Sequence, residues 1–168
     1  MKRQSQSGMF LLEALISILI FSLGILGMVA MGGTAMTAQS DAQYRTEAAN
    51  LASEMASNIV LNVDRGANFV TSLPGFEHLR TNAGTCNFAG TASSNATVLN
   101  WVDQIRGAVP GVQGLPGATN TSESIAVDMS PTGHNKVTIT ICWKPPASSA
   151  SPFSPWHQHV LVSYVNLN

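Results

Sequence analysis

Between Gly8 and Ser40 this chain carries one long apolar stretch, and a single carboxylate, Glu13, stands near its head. Met9-Phe10-Leu11-Leu12 lead into Glu13, and no charged residue occurs from Ala14 to Ser40. A run of that length exceeds the roughly 20 residues that cross a bilayer as a helix. A charge inside it costs roughly 2.5–3.5 kcal/mol on insertion scales. A plain anchor has no use for that cost, so Glu13 points to a specific pairing task. Lys2 and Arg3 precede the run, which keeps residues 1–8 on the cytoplasmic side by the positive-inside rule.

Two readings of the run compete. In the first it is a secretory signal peptide, with Gly33 and Ala35, or Ala30 and Gly32, as the small residues of a cleavage site. In the second the apolar helix is retained and only the short polar leader is removed. Glu13 counts against the first, because a carboxylate at the start of the apolar region hinders insertion. The helical pattern also continues beyond any such site. Over residues 37–63, Ala48, Leu51, Ala52, Met55, Ala56, Ile59, Val60 and Val63 follow i, i+3, i+4, i+7 spacing. Asp41, Gln43, Arg45, Glu47, Asn50, Glu54 and Asn58 lie between them, and no proline interrupts residues 9–73. The spacing predicts one helix from about Met9 to Asn62, roughly 80 Å long at 1.5 Å per residue. It is apolar all round over residues 9–36 and amphipathic over residues 37–63. That combination describes a membrane or filament-core segment feeding into a domain-packing segment.

Charged residues make up 10% of the 168, well below the roughly 25% of a typical soluble domain. The apolar N-terminus accounts for part of the deficit. The rest is rich in Ser, Thr, Asn, Gly and Ala, as secreted bacterial surface proteins often are. The formal net charge is −1, and loss of Lys2 and Arg3 leaves six basic residues against nine acidic ones, or −3. No basic cluster survives, so no nucleic-acid partner is expected. The two cysteines, Cys86 and Cys142, show no CxxC or Cys/His spacing. In an exported chain they read as one disulfide, worth about 4 kcal/mol as an upper estimate; two separate buried thiols are the alternative.

Residues 64–168 read as an extracytoplasmic globular domain. Asp64-Arg65-Gly66 ends the long helix, with Gly66 in the C-cap region. Residues 67–96, with Pro74, Gly75, Gly84, Cys86 and Gly90, read as an irregular connection. Asn95 caps a short helix over Thr97–Arg106, whose apolar face is Val98, Trp101, Val102 and Ile105. Pro110-Gly111 and Pro116-Gly117 mark turns. Three strands follow. Ser124–Met129 alternates as Ile125, Val127, Met129, and Lys136–Trp143 as Val137, Ile139, Ile141, Trp143. Val160–Leu167 alternates as Val160, Val162, Tyr164, with a shift of phase near Val165. Residues 130–135 suit a hairpin loop, and Pro145–Pro155 is too proline-rich for a strand. The expected fold class is α+β, a long N-terminal helix packed on a small antiparallel sheet of three or four strands. Cys142 lies one position off the Val137-Ile139-Ile141 series, so its side chain faces away from theirs. A disulfide from it would pin the 67–96 connection over the outer face of the sheet.

Other chemistry is sparse. His157 and His159 share one strand face, but a metal needs a third ligand that is not evident, and they read as a solvated pair. Trp143 and Trp156 read as core or rim. Asn95-Ala96-Thr97 and Asn120-Thr121-Ser122 match a glycosylation sequon, which carries little weight in bacterial export. There is no GxSxG, P-loop, HExxH or paired-carboxylate arrangement. No enzyme activity, cofactor or metal is expected. Gly24, Gly27, Gly32 and Gly33 fall inside the apolar helix. Each costs about 1 kcal/mol against Ala in a water-soluble helix, and small residues let membrane helices approach closely.

Gly8-Met9-Phe10-Leu11-Leu12-Glu13, after a short basic leader, resembles the type III signal sequence of type IV pilins and type II secretion pseudopilins. Leu23-Gly24-Ile25-Leu26-Gly27 and Ala48-Ala49-Asn50-Leu51-Ala52-Ser53-Glu54-Met55-Ala56 extend the resemblance, over roughly residues 1–63, to the type IV pilus modification family of V-type minor pilins. The resemblance implies a pilin-like lollipop. It makes Gly8 the last residue of a leader cut by prepilin peptidase, and Met9 the new, N-methylated terminus. It makes Glu13 the partner of the Met9 amine, on its own chain or a neighbour, and so the residue that sets register in a filament. It also implies that the helical glycines ease local melting on assembly. The implied partners are other minor and major pilins, prepilin peptidase, the inner-membrane pilus assembly machinery and the membrane itself. The implied location is the bacterial inner membrane, with the C-terminal domain periplasmic, and then the pilus surface. The implied role is to prime or modulate pilus assembly in adhesion and motility. A minor pseudopilin of a type II secretion system is the closest rival, and an anchored or secreted adhesive domain is the rival of another class. Many major pilins close a C-terminal loop with their disulfide; this chain departs from that, and the loop's function is not implied.

Overall fold

The computed structural model describes residues 7–82, 86–130, 134–145 and 155–166. The chain falls into two units, Met1–Ser40 and Asp41–Asn168. Residues 1–6 of the expected leader, residues 131–133 of the hairpin loop, 146–154 of the proline-rich connection, Gly84 and Leu167 lie outside the described residues.

The helix expected from Met9 to Asn62 forms as α1, Ser7–Asn62. Its stripe enters the core of the second unit. Ala48, Ala52, Met55 and Ile59 are at most 1% exposed, whereas Ala56 and Val60 pack at its margin. The helix ends at Asn62, as expected. After Asn62 the chain turns on Asp64, whose Oδ1 accepts from Gly66 N–H at 2.8 Å and whose Oδ2 accepts from Asn68 Nδ2 at 2.9 Å. A short polar side chain here binds the backbone and supplies the turn, so Gly66 is no cap. These donors hold the Asp64 carboxyl below its ordinary range, the Gly66 N–H first and the Asn68 amide second.

The 67–96 connection is more ordered than expected. It holds α2 (Phe69–Ser72), a 3-10 turn at Pro74–Phe76, and a two-stranded ribbon of β1 (Thr81–Asn82) and β2 (Phe88–Ala89). Phe69, Leu73 and Phe76 are buried in the main core. α3 (Ala96–Arg106) starts where Asn95 Oδ1 accepts from Thr97 N–H at 2.9 Å. Its four expected apolar residues are all buried. Trp101 Nε1 donates to Leu51 O of α1 at 2.9 Å, tying the helices together. α3 ends at Gly107, which takes φ of 68°. A side chain at Gly114 would collide with the Gly107 backbone at 2.2 Å, so the chain turns back there only because both residues lack one.

β3 (Glu123–Asp128), β4 (Asn135–Trp143) and β5 (His157–Val165) form an antiparallel sheet in that order. β4 is central. Its Val137, Ile139, Ile141 and Trp143 face the main core, and Cys142 faces the other way. Met129 lies beyond β3 and is 39% exposed. β5 departs from expectation. Val160, Val162 and Tyr164 are its outward residues, at 47, 47 and 60% exposed. His157, His159, Leu161 and Ser163 are half-buried on the inward side, and Val165 is buried on that same side with no change of phase.

Cys86 and Cys142 form a disulfide with a Cα–Cα distance of 5.7 Å. With Leu79, Phe88 and the flank of Trp156 they make a second, smaller core. The bond fastens the ribbon to the face of β4 opposite the main core, as the Cys142 register requires.

Candidate functional site in the apolar half of the long helix

From Met9 to Met36 the large apolar side chains of α1 are between 47 and 76% exposed. The helix is long and apolar enough to cross a membrane, with a mean hydropathy of 2.5 over its most apolar stretch and none of that stretch buried within the protein. Its polar groups are largely self-satisfied. Ser17 Oγ donates to Glu13 O at 2.8 Å and Ser22 Oγ to Ile18 O at 2.7 Å. Such back-bonds hide a hydroxyl inside a helix. The Glu13 carboxylate is different. Among the described residues it has no hydrogen-bond or ion-pair partner, and it lies in the exposed apolar half of α1 one turn beyond Met9. A side chain added at Gly24, Gly27, Gly32 or Gly33 would meet nothing within 4 Å. No packing among the described residues therefore requires those glycines.

Two polar devices sit in the second unit. Asp41 of α1 accepts from Arg45 Nε at 2.8 Å and lies 2.8 Å from His157 Nδ1 of β5. The His157 contact is close but poorly aligned, so it is charge-dipole or charge-charge proximity rather than a directed hydrogen bond. The Arg45 hydrogen bond leads the influences that lower the Asp41 carboxyl, and His157 adds to it. His157 also meets the edge of Trp143, with ring centroids 5.7 Å apart. The expected solvated histidine pair is thus corrected: His157 is engaged by Asp41 and Trp143. Among the described residues no group of three or more His, Cys, Asp or Glu could hold a metal.

Glu123 is the second device, and the sequence reading missed it by starting the strand at Ser124. It is 0% exposed, faces the core beside Ile125 and Val127, and neither carboxylate oxygen has a hydrogen-bond partner among the described residues. Burial pushes its carboxyl up to about 8, and Arg106 draws it back only in part. His78, also buried, is pushed down by desolvation. Its Nδ1 accepts from Ser93 N–H at 3.1 Å, so the proton sits on Nε2.

Polar side chains line clefts of the second unit. One of about 200 Å³ runs between α1 and α3, lined by Glu54, Asn58, Asn100 and Gln104 among others. Compared with known proteins, the chain matches no family model, no curated protein and no solved structure.

Proposed function

We propose that this chain is a minor type IV pilin, a filament subunit that primes or modulates pilus assembly. One observation carries the reading. A single helix joins an apolar half exposed all round, whose carboxylate near the head has no partner among the described residues, to an amphipathic half built into a disulfide-bonded α+β unit. The apolar half needs a surrounding of hydrocarbon or of neighbouring apolar helices. Glu13 needs a cation in that surrounding, because a lone carboxylate is costly in a medium of low dielectric. Cleavage after Gly8 creates such a cation, the amine of Met9, at the correct end of the helix. Pairing the two lowers the cost of both, and only a subunit at the proper axial step satisfies its neighbour. Before assembly the chain rests in the bacterial inner membrane with residues 64–168 periplasmic. Afterwards it sits in the pilus with other minor and major pilins and serves adhesion or motility.

Intact-mass measurement of the mature protein tests the processing step. Loss of residues 1–8 with gain of one methyl group on Met9 is expected, and cleavage near Ala35 or no cleavage overturns the reading. Glu13→Ala tests the pairing. The variant is expected to be inserted and processed but absent from sheared filaments, and ordinary incorporation refutes the registry role.

A further inference from the structure

Within the second unit, the buried stripe of α1 begins at Ala48. Upstream of it Ala42, Gln43, Arg45, Thr46 and Glu47 are exposed. Over residues 41–47 only Asp41 and Tyr44 are partly buried, and Tyr44 packs at the margin of the core. Asp41 makes the contact to β5. Its Oδ1 lies 2.8 Å from His157 Nδ1, and the two side chains are 31% and 21% exposed. The two facing atoms are nevertheless shut off from solvent, and neither has a directed hydrogen bond. Trp143 of β4 stands against the imidazole with the ring planes at 79°. The carboxylate divides its oxygens: Oδ2 accepts from Arg45 Nε, and Oδ1 faces His157.

Around the imidazole, α1 contributes the charges of Asp41 and Arg45. β4 contributes the uncharged Trp143, followed by the exposed Lys144. β5 contributes His159, half-buried on the same inward side. From the ribbon turn, Cys86 Sγ lies 3.9 Å from His157 O, and in its disulfide it does not titrate. The Arg45 hydrogen bond holds the Asp41 carboxyl below its ordinary range, with a smaller part from His157. The acid is therefore ionised throughout the neutral range. An imidazole changes charge between about pH 5 and 8, so His157 is the member of the pair whose charge changes there.

We propose that Asp41 and His157 form a proton-operated clasp between α1 and β5, closed by a protonated imidazole and slack with a neutral one. The misalignment of the contact carries the argument. Attraction between full charges depends on distance and needs little alignment. A neutral ring presents either an N–H dipole or a bare lone pair at Nδ1. Poor alignment weakens the first, and the second repels the carboxylate. The attraction is therefore present in acid and lost as pH rises through the imidazole range. Closed, the clasp anchors α1 to the sheet from Asp41. Slack, it leaves the anchoring to Ala48 and beyond, with Tyr44 at the margin. The clasp does not depend on the filament reading.

The test is a double-mutant cycle on the full chain in detergent micelles, with Asp41→Asn, His157→Gln and the two together. Each protein is unfolded by denaturant at about pH 5.5 and about pH 8.5, either side of the imidazole range. The titrations of Glu123 and His78 are common to all four proteins and cancel. At the lower pH the coupling should be about threefold or more in the folding equilibrium constant, the size expected of a partly exposed ion pair. At the higher pH it should vanish. Equal coupling at both pH values means a fixed polar contact and overturns the proposal, as does no coupling at the lower pH. A second measurement reads the anchoring itself. Amide exchange of residues 44–47, corrected for its intrinsic pH dependence, should be about threefold slower at the lower pH in the unaltered chain. In His157→Gln this difference should be absent, and an equal difference in both proteins overturns the clasp.

Discussion

The two halves of α1 share one backbone and have opposite needs. Between Met9 and Met36 the apolar side chains surround the axis and none is buried by this chain. Between Ala48 and Val63 they form a stripe, and the stripe is buried. A stripe can be satisfied by one neighbouring layer, so the chain supplies that layer itself from α3 and the sheet. An apolar surface on all sides cannot be satisfied that way and must be met from outside. The two halves therefore differ in who completes them.

Met55→Ala gives the sharpest contrast. It should destabilise the second unit by about 2–5 kcal/mol, read by denaturant unfolding, whereas Leu19→Ala should leave that unfolding unchanged. Equal effects would break the comparison. Replacing both cysteines, Cys86→Ser with Cys142→Ser, should cost up to about 4 kcal/mol in the same measurement. It should loosen the ribbon at residues 78–91 before the α1 stripe, as resolved by hydrogen exchange.

Glu123 supplies a pH test confined to the second unit. Its folded carboxyl lies near 8 against an ordinary value of 4.5. Between those values the folded state keeps a proton that the unfolded state has released. Its contribution is therefore complete below pH 4.5 and lost as pH rises toward 8, with about 3 kcal/mol gone by pH 7. Unfolding of Glu123→Gln should lack this downward slope; the same slope in the variant would remove Glu123 as its source. His78 acts in the opposite sense. Its folded value is lowered, so its contribution is present above the ordinary 6.5 and lost as pH falls. The smallest effect expected is that of Asn95→Ala, about 1 kcal/mol from the lost cap of α3.

The legibility of the chain follows the same division. The α1 stripe and the α3 face were readable because helical spacing reports a one-sided burial directly. Asn95 was readable because a cap is a local hydrogen bond. The outward face of β5 was misread because alternation shows two faces without saying which is inside. There the polar His159 and Ser163 share the inward side with Leu161, while Val160, Val162 and Tyr164 face out. Glu123 was missed because a carboxylate beside Ser122 and Ser124 reads as the end of a loop, and nothing local shows that the core closes over it. The order in residues 67–82 did have a signal. Phe69, Leu73 and Phe76 stand at i, i+4, i+7, but Pro74 and Gly75 between them suggested a loop. Glu13 stood out in the sequence alone, because its oddity is its setting and not its contacts.

The Cys86–Cys142 bond closes a covalent ring that contains α3 and β3. A protease that cuts within the exposed stretch at residues 111–113 would divide the chain without releasing a fragment. The nicked protein would run as one species on a non-reducing gel and as two after reduction. Such a molecule would carry an internal cut and still hold its apolar helix and its sheet on a single covalent body.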